Sequence, residues 1–123
     1  MKKVIALLVA ITPAVAFADK DLAKSGAWDC KKDPVVKIGN GKGKYTFKGE
    51  CKLISLGGGE NTLTIESVDT LQIGSGKNVI TVGTVDTIDV AGADNKITWK
   101  KAKTGDAPTL KGQPDKNTIT QAK

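Results

Sequence analysis

The chain contains no histidine and no arginine; all 19 of its basic residues are lysine. Without histidine, Ser-His-Asp and Cys-His catalytic arrangements and histidine-based metal sites are excluded. Without arginine, the residue that dominates bidentate recognition of phosphates and base edges is missing. Aromatic residues are only 4% of the sequence, so it offers no series of stacking platforms for single strands. No nucleic-acid partner is expected. The two cysteines, Cys30 and Cys51, have no CxxC spacing, which argues against a redox or metal role. Apolar spacings of three and four are nowhere sustained after residue 33, so helices are not expected there.

What the chain does have is a repeat. The segments LISLGGGENTLTI, LQIGSGKNVITV and IDVAGADNKITW align at a step of 17 residues marked by Asn61, Asn78 and Asn95. Reading the alignment by columns gives Ile54, Leu71, Ile88; Leu56, Ile73, Val90; Leu63, Ile80, Ile97; Ile65, Val82, Trp99; and Cys51, Val68, Val85. Every one of these columns is apolar. They alternate with Ser55, Gln72, Asp89 in one strand and Thr64, Thr81, Thr98 in the other, the period of half-buried strands. A fixed period with one polar residue at one phase is the mark of stacked coils, each too small to bury its inner face alone.

The fold class expected is therefore all-β: a small single-domain β-solenoid of about five 17-residue coils with short strands. At one strand spacing per coil this is a rod ~24 Å tall. The segment VKIGNGKGKYTF fits an earlier coil with Val36, Ile38, Tyr45 and Phe47 inward, and its extra residue falls in KGEC before Cys51. At the far end GQPDKNTIT repeats the turn and second strand, with Asn117 later than the step requires because the loop KKAKTGDAP intervenes. That loop is expected to be exposed. The turns GGGEN, GSGKN and AGADN use glycine for positive φ and for close backbone approach. The Asn61, Asn78, Asn95, Asn117 series is read as a structural turn ladder, the amides bonding one another and neighbouring backbone. Thr46, Thr64, Thr81, Thr98 and Thr120 share a phase and form a candidate contact face.

The N-terminus reads differently. Lys2 and Lys3 precede an apolar run from Val4 to Val15, and Ala16-Phe17-Ala18 fits a small-x-small cleavage rule. Residues 1–18 are expected to be a signal peptide cut near Ala18, with an N-terminal segment or cap at 19–33 and the solenoid at 34–123. The expected location is exported, in the periplasm or outside the cell, with no transmembrane segment in the mature form. An export compartment permits disulfides. Cys30 lies about one coil before the inward Cys51, within bridging range, so a Cys30–Cys51 disulfide is expected.

Net charge is +6, with lysines scattered apart from Lys31/Lys32, the group Lys37, Lys42, Lys44, Lys48, and Lys100, Lys101, Lys103. Solvated faces explain such lysines, and loose attraction to anionic surfaces is the functional alternative. Asp69 and Asp86 recur in phase with Asp89 nearby, at outward or corner positions. A calcium ladder is argued against by Lys77 standing between Glu60 and Asp94 in the turn column. An ice-binding threonine face is argued against by Lys96 in its second rank, Thr62, Val79, Lys96, Thr118.

From Cys30 onward the pattern resembles a bacterial family known as domain-of-unknown-function family 3060. The resemblance rests on Cys30 and Cys51 flanking the first coil, the Gly-x-x-Asn-x-hydrophobic-Thr-hydrophobic units GSGKNVITV and GADNKITW, and the closing PTLKGQPDKNTIT; GKGKYTF lacks the asparagine. It implies secreted proteins of unassigned activity and carries over no catalytic residues. The expectation is a non-enzymatic exported binding or scaffold module of the envelope, with no cofactor and no metal or catalytic residues, whose partner is an envelope glycan or protein. The alternatives are a carbohydrate-binding or carbohydrate-active protein using Asp69, Asp86 and Asp89, and self-association through the solenoid ends.

Overall fold

A computed structural model describes residues 20–22 and 24–122; the expected signal peptide lies outside them. Strands are β1 (Lys20–Asp21), β2 (Gly26–Asp29), β3 (Val35–Ile38), β4 (Lys44–Leu56), β5 (Thr62–Ile73), β6 (Val79–Val90), β7 (Lys96–Ala102), β8 (Thr109–Gly112) and β9 (Thr118–Gln121). A 3-10 turn, Pro114–Lys116, precedes the last strand. All the pairings are parallel and belong to one nine-stranded sheet. Each interior strand pairs with the strands one coil before and after it, and the strands at the two ends pair on one side. The protein is a β-solenoid of about five coils, as the repeat requires. No helix among the described residues is long and apolar enough to cross a membrane.

The cross-section follows from the order of inward residues. In β5 these are Leu63, Ile65, Val68, Leu71 and Ile73. One outward residue separates members of a straight run, but two separate Ile65 from Val68 and Val68 from Leu71. The strand therefore turns at Glu66–Ser67 and again at Asp69–Thr70 without leaving the ladder. Three faces and a turn make one coil, and β6 repeats the same spacing with Ile80, Val82, Val85, Ile88 and Val90.

The expected columns are the observed ones. Tyr45, Leu63, Ile80 and Ile97 are in register, as are Phe47, Ile65, Val82 and Trp99, and all eight are buried. Trp28 stands above Phe47 in the second of these columns, so its apolar run has a tryptophan at each end, with Gln121 beyond Trp99. The half-buried Trp28 indole donates its N–H to the carbonyl oxygen of Asp33 at 3.2 Å, keeping its polar edge paired. The extra residue of the first coil lies where the spacing placed it, as a register shift between Phe47 and Glu50. Segment 19–33, expected as a cap, carries two strands that join the ladder: β1 pairs with β3, and β2 with β4.

The turns correct one expectation. Positive φ falls on the charged residue rather than on glycine: Lys42 at 60°, Glu60 at 60°, Lys77 at 62° and Asp94 at 63°. Left-handed backbone is costly for residues with a Cβ, about 1–2 kcal/mol each. Every one of these residues donates its N–H to a carbonyl of the next coil, those of Gly59, Gly76, Ala93 and Lys116. At three of the four the preceding residue is a glycine that provides the close approach, Gly41, Gly59 and Gly76, whereas Ala93 precedes Asp94. A Cβ on Gly76 would sit 2.4 Å from the Ala93 oxygen, which accepts the Lys77 N–H. Along the rod this corner alternates positive, negative, positive, negative, so each strained residue faces an opposite charge one coil away.

The insertion KKAKTGDAP is also redrawn. Lys100 to Ala102 continue β7, and Pro108 is buried, leaving 103–107 as the exposed segment. After it β8 returns to pair with β6, placing Thr109 on Thr87 and Lys111 on Asp89.

Candidate binding face

Four sets of residues were candidates for function, and the fold places each differently. The asparagines are interior. Asn61, Asn78 and Asn95 are buried. The Asn61 Oδ1 accepts the Gly43 N–H at 2.9 Å, the Asn78 Oδ1 the Asn61 N–H at 2.9 Å, the Asn95 Oδ1 the Asn78 N–H at 2.9 Å, and the Asn117 Oδ1 the Asn95 N–H at 2.8 Å. Their Nδ2 groups donate sideways: Asn78 to Asn95 Oδ1 at 2.9 Å, Asn95 to Asn117 Oδ1 at 2.8 Å, and Asn61 to the Asn40 carbonyl at 3.0 Å. An amide is the right side chain here because it accepts one backbone N–H and still donates to the next rung. At the top Gly43, which has no side chain to accept, ends the ladder. The series satisfies buried backbone, and Asn61, Asn78 and Asn95 are closed to an external ligand.

The cysteines form a disulfide, with Cα atoms 5.1 Å apart at a sequence separation of 21. Both are buried.

The acids do not converge. Asp69 and Asp86 are neighbours on the short face, between Lys52 and Lys103. The Lys103 ammonium reaches past one coil to bond and pair with Asp69. That hydrogen bond holds the Lys103 pKa above the ordinary lysine value against the opposing effect of desolvation, with the charges of Asp69, Glu50 and Asp86 adding to it. Asp89 lies around the corner in the row Lys37, Ser55, Gln72, Asp89, Lys111. Among the described residues the surface has no pocket and no cluster of three or more potential metal ligands.

The threonines do form a face. Thr46, Thr64, Thr81, Thr98 and Thr120 are in register on successive strands, ~4.8 Å apart, with Ala27 above them. All are exposed except the half-buried Thr98. Beside them runs Lys44, Thr62, Val79, Lys96, Thr118, in which Val79 is 47% exposed. On the other side run Lys48, Glu66, Gly83 and Lys100. Lys44, Lys48, Lys96 and Lys100 thus frame the threonine row, in pairs three coils apart. None of these ammonium groups is ion-paired among the described residues.

Sequence reading missed three features. The lysine frame depends on lateral register. A second threonine row, Thr70, Thr87 and Thr109, lies on the far face below Val35 and Leu53. Its recurrence in SVDT and TVDT was visible, but the insertion hid Thr109. The third is charge along the rod: residues 57–95 hold a single lysine, Lys77, against Glu60, Glu66, Asp69, Asp86, Asp89 and Asp94, so the remaining lysines crowd both ends.

Residues 73–112 match the model of a family described as "Protein of unknown function (DUF3060)". This stretch covers the central repeat and the insertion, and it supports the resemblance drawn from the Gly-x-x-Asn units. No curated protein and no solved structure matches the chain.

Proposed function

We propose that the chain is a non-enzymatic, exported binding or scaffold module of the cell envelope, and that it engages its partner through the threonine face. The observation that carries this is the repetition of one chemistry, a hydroxyl, on five stacked strands of a single outward face, exposed on four and half-buried at Thr98. Core columns repeat because stacking demands it; an exposed row has no such demand, since other small or β-favouring residues would pack equally well there. The N-terminal apolar run ending in Ala16-Phe17-Ala18, together with a buried disulfide, supports export.

The test is co-sedimentation of the protein with isolated envelope fractions. Thr64→Tyr with Thr81→Tyr adds bulk to the face with a strand-favouring residue and should abolish retention. Gln72→Tyr, on the far side, should not. Equal retention of all three proteins would remove the face from the reading.

The competing carbohydrate-active reading through Asp69, Asp86 and Asp89 has less support, because Asp69 is already engaged by Lys103. Turnover of a glycan that Asp86→Asn abolishes would establish it instead. Self-association has one observation in its favour: Leu110 continues the buried Ile54, Leu71, Ile88 column yet is 44% exposed at the C-terminal end. Lysine-rich ends oppose it, since like charges meet when two rods stack. Concentration-dependent light scattering distinguishes the two.

A further inference from the structure

The outward faces differ in how their charges are balanced. On the short face Lys52, Lys101 and Lys103 stand among Glu50, Asp69 and Asp86, and one contact is an ion pair. At the turns the signs alternate from coil to coil. The threonine face has four lysines and two carboxylates, and both carboxylates are already occupied by backbone donors. Asp29 accepts the Lys31 N–H at 3.0 Å, and Glu66 accepts the Gly49 N–H at 2.7 Å. Four lysines against two carboxylates leave this face with a surplus of positive charge, borne by ammonium groups with no ion pair among the described residues. Between the lysine pairs lie Thr62, Thr64, Val79 and Thr81, a flat platform of hydroxyls and one apolar side chain.

We propose that this platform docks an acidic polysaccharide: an extended, hydroxyl-rich chain carrying carboxylates or phosphates. The inference rests on the reading of the threonine face as a binding surface and names what it takes. The frame measures ~14 Å along the rod, from Lys44 to Lys96, and ~13 Å along the strand, from Lys44 to Lys48. A polymer laid along the rod meets a lysine at each end and threonine hydroxyls every ~4.8 Å between. The flatness of the sheet suits a chain rather than a small molecule. Lysine, as a point charge on a flexible stem, suits anions whose spacing is not fixed, where arginine would select one geometry. Tyr45, Phe47 and Trp99 are buried and the half-buried Trp28 packs against the core, so the platform between the lysines has no aromatic ring on which a sugar or a base could stack. The anions must then supply the affinity, and neutral glycans should not bind.

The experiment measures binding of the purified protein to oligogalacturonate, to phosphorylated dextran, to unmodified dextran of equal length and to a DNA duplex, in low salt and in 0.5 M salt. Expected is binding of at least one acidic glycan, lost on adding salt as screening shortens, with unmodified dextran inert. The carboxylate and phosphate arms tell which anion is preferred. The Lys44→Gln/Lys96→Gln pair should weaken binding by about tenfold or more, and Lys101→Gln/Lys111→Gln by about twofold or less. Thr81→Tyr should also weaken it, a loss that charge alone does not explain. DNA bound as tightly as the glycans, or equal losses from both lysine pairs, would reduce the surface to general polyanion attraction and overturn the proposal. So would dextran binding as tightly as the acidic chains. If no acidic glycan binds but the protein still sediments with envelope through the threonine face, the acidic-glycan assignment fails and the binding-module reading stands. Loss of both ends both.

Discussion

The two central coils and the two ends of this rod are built to different rules. From Thr62 to Val90 the step is uniform, every inward residue of the two strands is aliphatic, and a single intervening lysine is outnumbered by acids. The ends have a bulge, a disulfide, an insertion, a 3-10 turn, both tryptophans and most of the lysines. The difference teaches what stacking by itself can do. An interior coil has a neighbour above and below, so aliphatic columns and an amide ladder complete it. An end coil lacks one neighbour. Covalent closure, large rings and charged edges take its place, and lysine at an edge strand discourages pairing with another chain.

If that contrast is right, truncation in the centre should cost most. Ile80→Ala, at a residue fully buried between Leu63 and Ile97, should destabilise by about 2–5 kcal/mol. Leu110→Ala, in the same kind of position but 44% exposed, should cost well under half as much. Urea unfolding of the two variants measures the gap, and equal losses would mean that the end coil is covered by something else.

At the N-terminal end the disulfide should be worth roughly 3 kcal/mol by loop closure. Cys30→Ser should lower the melting temperature, with hydrogen exchange quickening first in the strands of 26–38 and last in the centre. An unchanged melt would show that the first coil holds without the bond.

The amide ladder sharpens the comparison further. Asn78→Ala removes the acceptor for the buried Asn61 N–H and should cost about 2–3 kcal/mol. Asn117→Ala, half-buried at the ladder's foot, should cost less. The reverse order in denaturant unfolding would make the last coil, rather than the centre, the part that holds the stack together.

The smallest effect concerns pH. Lys103 titrates above its ordinary value because Asp69 favours the charged form. A raised folded-state pKa contributes stability that is complete below the unfolded value and fades as pH climbs through the folded one. The melting temperature should therefore sag slightly in strongly alkaline buffer, and Asp69→Asn should remove that component. The pair is partly exposed and screened by solvent, so the sag should be slight.

How much could be read in advance follows the same division. The columns through Leu63, Ile80 and Ile97 were legible because a strict step turns stacking into plain text. The register shift before Cys51 was legible too, since one extra residue still leaves the phases recognisable. What lay beyond the insertion was not: Lys111 beside Asp89, Thr109 under Thr87, and Lys103 reaching Asp69 across two coils depend on where the chain re-enters the ladder. Nor did the turns announce their left-handed residues. Glycine was the expected carrier of positive φ, but it was needed one position earlier, where a Cβ would strike the neighbouring carbonyl.

The sequence by itself determined the class of fold, the inward columns, the asparagine phase and the threonine row, because each is a repetition along the chain and hydrophobic burial enforces it coil by coil. Only the tertiary structure decided which charges became neighbours. Lateral contacts between coils are set by parallel register and corner geometry, and there two carboxylates met backbone amides while four lysines around the threonine row were left without partners.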